Sequence, residues 1–292
     1  MRIRLGSADR EASRGRRSRR MALGVAAVAV ALAATACGGD TGESAAPPAV
    51  PGVKLGTPGK LKVCTNLPYE PFQFKQGDKI VGFDVDLMDL VAKKLGVTQE
   101  IVEIDFDSIK GGTALNANRC DVAAAGMTIT DERKQNLDFS SPYFDEVIAL
   151  MAGKGSGVTS LDDVKAKNLQ LGAQASTTSL DYAKAKGFDP KQYKDSGKEL
   201  LALQSGQVEV ILQDLPVVNT WLKKPDVGAK FERGGVINTG AQYGFAVKKG
   251  GNPELLKTIN EVLSQAITDG TWTKTYVKWM GSDPVTTPKA TP

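Results

Sequence analysis

The residues with the clearest chemical potential lie between Asp121 and Arg133, in the run DVAAAGMTITDER. Val122 to Ala125 are small and apolar, as a strand covered on both faces must be. Thr130 then takes the place of a helix N-cap, with Asp131 and Glu132 at the positive end of the helix dipole and Arg133 one residue further on. Helical side chains lean toward the N-terminus, so Arg133 is expected to reach back over the carboxyl end of the strand. Open α/β sheets bind ligands at that edge, and a guanidinium there is a fork for one carboxylate. The alternative is a solvated surface arginine.

Composition removes other chemistries. The 292 residues include no histidine, which excludes Ser-His-Asp and Cys-His catalysis and every histidine-ligated metal site. No metal, cofactor or catalytic residue is expected. Of the three cysteines, Cys37 follows a segment with the features of a secretory signal. Eight arginines from Arg2 to Arg20 precede the apolar run Met21 to Ala34, which is short for a membrane span, and then Thr35-Ala36-Cys37-Gly38-Gly39. This ending resembles a lipobox. The resemblance implies that residues 1–36 are removed and that Cys37 is diacylated, anchoring the protein to the outer face of the cell membrane. A plain signal peptide with an unmodified cysteine is the alternative, and the pairs Arg16-Arg17 and Arg19-Arg20 leave a general secretory or a twin-arginine route open.

The net charge of +4 belongs to the precursor. Residues 1–36 hold eight of its 37 basic and two of its 33 acidic residues, which leaves 29 against 31, a charge of −2. No basic patch remains to suggest nucleic acid. With Cys37 lipidated, Cys64 and Cys120 remain in an oxidising compartment. Cys64 falls in the first predicted strand and Cys120 at the start of the strand in the opening motif. If those strands are neighbours a disulfide is available, and it is the expectation, with two buried thiols as the alternative.

The supporting elements follow from periodicity. Residues 37–59, rich in Gly, Pro, Ala and Ser, read as a disordered tether, and residues 285–292 as a disordered tail. From Leu61, short apolar runs alternate with amphipathic helices. LKVCT is a strand, a hairpin lies near Lys79 to Phe83, and Asp84 to Leu95 is a helix stopped by Gly96. Gln99 to Ile104 reads as a strand and Ser108 to Asn118 as a helix. The alternation repeats with helices over Leu161 to Lys167, Thr177 to Lys186 and Gly197 to Ser205, and strands over Leu169 to Ala173 and Val208 to Leu212. Pro216 opens a further helix, Gln242 to Val247 reads as a strand, and Pro253 to Asp269 and Trp272 to Met280 as terminal helices. The pattern predicts α/β architecture with mostly parallel, doubly wound sheets in two lobes and a cleft between them.

Several segments together resemble the extracytoplasmic solute-binding proteins of family 3, the amino-acid-binding components of ABC importers. They are Pro68-Tyr69-Glu70-Pro71-Phe72, Gly82-Phe83-Asp84-Val85-Asp86, Gly126-Met127-Thr128-Ile129-Thr130 with Arg133, Asp138-Phe139-Ser140-Ser141-Pro142-Tyr143, Tyr243-Gly244-Phe245-Ala246-Val247 and the Gly270 to Trp279 ending. The resemblance implies two doubly wound lobes joined by a two-segment hinge, a periplasmic-binding-protein-like Venus flytrap. Lobe 1 would comprise residues 60–143 and 243–284, and lobe 2 residues 144–242.

The same resemblance implies a site. Arg133 would hold the ligand's α-carboxylate, helped by Thr128, by the loop at Ala125 and Gly126, and by the amides of Thr177 and Thr178. Asp214 would take the α-ammonium. Tyr69 and Phe106 would wall the side-chain pocket, and Gln174 lies beside site positions. Asn66 stands where many relatives carry an aspartate, which weakens the case for a cationic ligand and makes a polar amino acid such as glutamine the first expectation, with basic or acidic amino acids as alternatives. The implied partners are a free amino acid, the permease subunits and the membrane, with the protein itself a monomer. A cyclohexadienyl or arogenate dehydratase on the same fold is the enzymatic alternative; it would need a general acid, and Glu70 is the only carboxylate next to a motif that could be nominated.

Overall fold

The computed structural model describes residues 49–290. The expected signal segment, Cys37 and the part of the expected tether up to residue 48 lie outside the described residues, as do residues 291 and 292. The chain begins with β1 (Lys60–Thr65), β2 (Phe74–Gln76) and β3 (Lys79–Val81), then α1 (Phe83–Leu95), β4 (Thr98–Glu103), α2 (Phe106–Lys110), α3 (Thr113–Asn116), β5 (Val122–Ala123), α4 (Asp131–Lys134) and β6 (Leu137–Phe139). It continues with β7 (Phe144–Gly153), α5 (Leu161–Ala166), β8 (Leu171–Gln174), α6 (Thr178–Ala185), β9 (Lys191–Tyr193), α7 (Ser196–Gln204), β10 (Val210–Asp214), α8 (Leu215–Leu222), α9 (Pro225–Gly228) and β11 (Phe231–Tyr243). β12 (Ala246–Lys248), α10 (Pro253–Thr268) and α11 (Thr271–Met280) complete it.

Two five-stranded sheets result, ordered β4-β1-β5-β12-β6 and β11-β7-β10-β8-β9. The chain leaves the first sheet between β6 and β7 and returns between β11 and β12, so two neighbouring connections join two α/β lobes. The centre of each sheet is parallel, β1 with β4 and β5 in the first and β8 with β9 and β10 in the second. β12 runs antiparallel to β5 and β6, and β7 antiparallel to β10 and β11. β7 and β11 were not evident from periodicity. β7 is apolar over most of its length and buried on both faces, so no alternation marks it, while β11 contains three glycines and many polar residues. Gly234 and Gly235 are required there: a Cβ on either would lie 2.5 Å or 2.0 Å from the carbonyl oxygens of Val158 and Thr159.

α1 buries Leu87, Met88, Val91 and Leu95 against Leu255, Ile259 and Leu263 of α10 and against Trp272, and Gly96 ends it in the left-handed conformation at φ 69°. The other face of the first sheet is packed by Cys64, Ile104, Ile109, Ala123 and Met127. Cys64 and Cys120 are joined by a disulfide, with Cα atoms 5.6 Å apart, between β1 and the entry to its neighbour β5. The predicted helix over Ser108 to Asn118 is instead two short helices, broken where Gly112 turns at φ 79°. The predicted strand over Gln242 to Val247 is the end of β11 and the first two residues of β12, broken at Gly244 and Phe245.

The first and last of the described segments lie against these lobes. Val53 is buried, the Ala49 N–H donates to Leu95 O, and the Gly56 N–H donates to Asp121, so residues 49–59 pack on the first lobe where the composition suggested a free tether. In the tail, Thr286 donates to Asp145 and Pro288 is buried. Among the described residues no helix is long and apolar enough to cross a membrane.

Candidate functional site

Strand carboxyl ends from both sheets converge on one cavity of about 350 Å³, its mouth included. β1 leads into Asn66, Tyr69 and Gln73; β4 leads to Phe106 at the start of α2; β5 leads to Ala125, Gly126 and Thr128, with Arg133 in α4. From the second sheet come Gln174 at the end of β8, Thr177 and Thr178 at the start of α6, and Asp214 at the end of β10. All twelve line the cavity. The eleven sequence-predicted residues are thus together, and Gln73 joins them. Its only sequence signal is a polar residue between Phe72 and Phe74 in an otherwise buried motif.

Arg133 reaches back as the helix geometry requires. Thr130 caps α4 by accepting from the Arg133 N–H at 3.2 Å. Arg133 is 5% exposed; its guanidinium lies 5.5 Å from the centre of the Phe106 ring and donates from Nη1 to Thr128 O at 2.8 Å and from Nη2 to Ser176 O at 3.2 Å. Ser176 holds the left-handed φ of 66°, a conformation uncommon for a residue with a side chain, and its hydroxyl donates to Asp107 at 2.7 Å. Burial pushes the Arg133 pKa down, while Glu146 and other carboxylates oppose the shift. Among the described residues no carboxylate lies within ion-pair distance of it.

Asp214 is the opposite pole. Burial raises its pKa to about 7, the charge of Glu146 adds to the shift, and hydrogen bonds from Tyr243 and Tyr69 counter it. Both tyrosine hydroxyls donate to Oδ2, and the Asp214 N–H donates to Gln213 Oε1 at 2.7 Å. Burial also raises the pKa values of Tyr69 and Tyr243 well above the ordinary range, so both remain protonated donors. Gly126 makes this approach possible. It sits at φ 55°, and a Cβ there would lie 2.8 Å from the Tyr69 ring. Its N–H donates to the buried Asp84 at 2.8 Å.

The far wall is built of amides. Asn66 donates to Ile104 O at 3.0 Å and accepts from Gln174 Nε2 at 3.1 Å, so its side chain is bonded within the protein on both sides. Gln73 donates to Asn66 O at 3.3 Å. The carbonyl oxygens of Gln73 and Gln174 are buried with no hydrogen-bond partner among the described residues.

Behind Thr128 and Thr178 lies Glu146, which the sequence reading passed over. Its signal is the inner acid of the pair Asp145-Glu146, set directly against the apolar run Val147 to Ala152. It is 1% exposed and accepts from Thr128 at 2.5 Å, Thr178 at 2.7 Å and Thr239 at 2.7 Å. Further bonds cross the cleft outside the cavity. Ser196 donates to Pro68 O at 2.5 Å, Lys194 pairs with Asp105 at 2.9 Å, and Lys224 pairs with Glu70 at 2.8 Å. The lobes are closed on one another.

A match over residues 61–282 to the model of the bacterial extracellular solute-binding proteins, family 3, covers nearly all of this architecture. The chain belongs to that family. A probable histidine-binding protein of Neisseria gonorrhoeae is 33% identical over 259 residues, 87% of this chain and 92% of its own. Two solved structures of an ancestral arginine-binding protein are 40% identical. The one bound to arginine has a TM-score of 0.69 and coverage of 76% of this chain and 98% of its own; the one bound to glutamine has 0.71, 77% and 100%. As a family 3 protein, the chain thus has relatives named for binding different amino acids on one two-lobed fold.

Proposed function

We propose that the protein is the extracytoplasmic binding component of an ABC importer, which closes over a free polar amino acid, glutamine first, and delivers it to a membrane permease. The observation that carries this reading is the pair of buried, opposite charges in one cavity: Arg133, with no carboxylate partner among the described residues, and Asp214. A zwitterion needs one fixed cation and one fixed anion. In this reading Arg133 takes the α-carboxylate with the amides of Thr177 and Thr178 at the start of α6, and Asp214 takes the α-ammonium. Gly126, whose N–H is held by Asp84, contributes its carbonyl oxygen.

The side chain would then lie between Tyr69 and Phe106 and end at the amides of Asn66, Gln73 and Gln174. Two unpartnered carbonyl oxygens there call for hydrogen-bond donors, which a carboxamide supplies. The same oxygens favour a second reading, a cationic side chain such as arginine. Calorimetry with ligand-stripped protein against glutamine, arginine, histidine, lysine and glutamate tests both. Binding of glutamine supports the first; tight arginine or histidine binding with glutamine silent supports the second; binding of no amino acid overturns them together.

A dehydratase is less well supported by the site. Glu70, its nominated general acid, is bonded to Lys224 and stands outside the cavity lining. The anchor is proposed at Cys37, and a Cys37→Ser variant should leave the membrane fraction or remain unprocessed. A correctly processed mutant that stays with the membrane would overturn it.

A further inference from the structure

Thr128, which the resemblance places beside the ligand carboxylate, and Thr178 both carry hydroxyls that are not free to donate to it. Thr128 and Thr178 both line the cavity, their Oγ1 atoms lie 3.2 Å apart, and both hydroxyls lie within hydrogen-bond distance of the same oxygen of Glu146. The other oxygen of Glu146 accepts from Thr239. A carboxylate has no proton to give, so each hydroxyl proton is turned toward it and away from the cavity. What Thr128 and Thr178 present to a ligand is therefore lone pairs alone, with a buried negative charge directly behind them. A ligand group in that place must donate, and a cation is favoured over a neutral donor.

We infer that Glu146 is a specificity-determining positioning residue, which through Thr128 and Thr178 makes the site select acids bearing a protonated amino group over their 2-hydroxy analogues. Glu146 does this from β7, which begins at one lobe connection, and its second oxygen accepts from Thr239 of β11, which ends at the other. Thr128 belongs to the first lobe and Thr178 to the second, so the full set of bonds exists when the lobes are closed. This inference rests on the amino-acid reading of the cavity.

The test compares L-arginine with its 2-hydroxy analogue, argininic acid, and L-glutamine with its own, by calorimetry on the mature protein. The unmutated protein should prefer the amino acid by at least a hundredfold. Glu146→Gln keeps the shape, removes the charge and supplies an N–H₂ that donates to one hydroxyl, freeing that hydroxyl's proton for the cavity. It should narrow the preference at least tenfold. Thr178→Ala, which removes one acceptor with less risk to folding, should narrow it as well. Thr239→Val removes the bond to the other oxygen of the same carboxylate but keeps its charge and both cavity hydroxyls, so it should narrow the ratio less than Glu146→Gln does. An unchanged ratio in folded Glu146→Gln, or in Thr178→Ala should Glu146→Gln fail to fold, would overturn the inference and leave the amino-acid reading standing. An equal narrowing in Thr239→Val would overturn it too, by assigning the effect to the hinge. If the unmutated protein binds no amino acid, the functional reading falls and this inference with it.

Discussion

Arg133 and Asp214 differ in what they lose when changed. The Arg133 fork already bonds carbonyl oxygens from both lobes, Thr128 O and Ser176 O, while its charge has no carboxylate answer within reach. Truncating one member of a buried charge pair costs about 2 to 5 kcal/mol, so Arg133→Ala should weaken amino-acid binding by roughly thirtyfold or more. Lysine keeps the charge and loses the fork, so Arg133→Lys should recover only part of the affinity; unchanged binding in Arg133→Ala would refute the pose. Asp214 instead makes binding depend on pH. An ammonium favours the charged carboxylate, and the ligand-free group titrates at about 7. Binding near neutrality should therefore release a proton, and affinity should be level above pH 7 and fall by up to tenfold per unit below it. Calorimetry in buffers of different ionisation enthalpy measures that proton. Asp84 is raised by burial to about 7 as well. In the ligand-free protein both groups keep protons that the unfolded chain has lost, so stability should decline as pH rises from about 4 to about 7.

At the scale of elements, the disulfide gives the clearest expectation. It closes a separation of 56 residues between β1 and β5, the two strands that carry Asn66 and the Gly126 loop into the site. Its loss should cost roughly 2 to 5 kcal/mol. Thermal denaturation of a Cys64→Ser, Cys120→Ser double variant would measure this, and two free thiols in the unfolded, unreduced protein would exclude the bond. The elements that present the cavity were largely legible. Thr130 and Thr177 cap their helices as their hydroxyls suggested, and strand ends followed by Arg133 or Asp214 stood out because charge next to an apolar run is rare. The joining strands were not, because a fully buried strand loses its alternation and a glycine-rich one reads as a turn. For the same reason Glu146 was missed: its meaning depends on Thr128, Thr178 and Thr239, which are distant in sequence and meet only after the lobes close.

At the scale of the whole molecule, the question is what holds the closed form. The ion pairs at the rim, Lys194 with Asp105 and Lys224 with Glu70, have exposed lysines, with 59% and 46% of the side-chain surface in water. Exposed pairs are worth about 0 to 1 kcal/mol and weaken with salt. The bonds within the cavity are buried: Asn66 to Gln174, Tyr69 to Asp214, and Thr128 and Thr178 to Glu146. In the proposed pose a ligand would complete that interior by pairing Arg133 and Asp214, and it can shift the balance between open and closed only through such differential contacts. Small-angle scattering should therefore show the stripped protein contract when a bound amino acid is added, with the contraction kept in high salt. Lys194→Ala and Lys224→Ala should each change the amino-acid affinity by less than about fivefold, the factor that 1 kcal/mol allows. A salt-sensitive contraction, or a loss in either lysine variant as large as that in Arg133→Ala, would assign closure to the rim instead of the cavity.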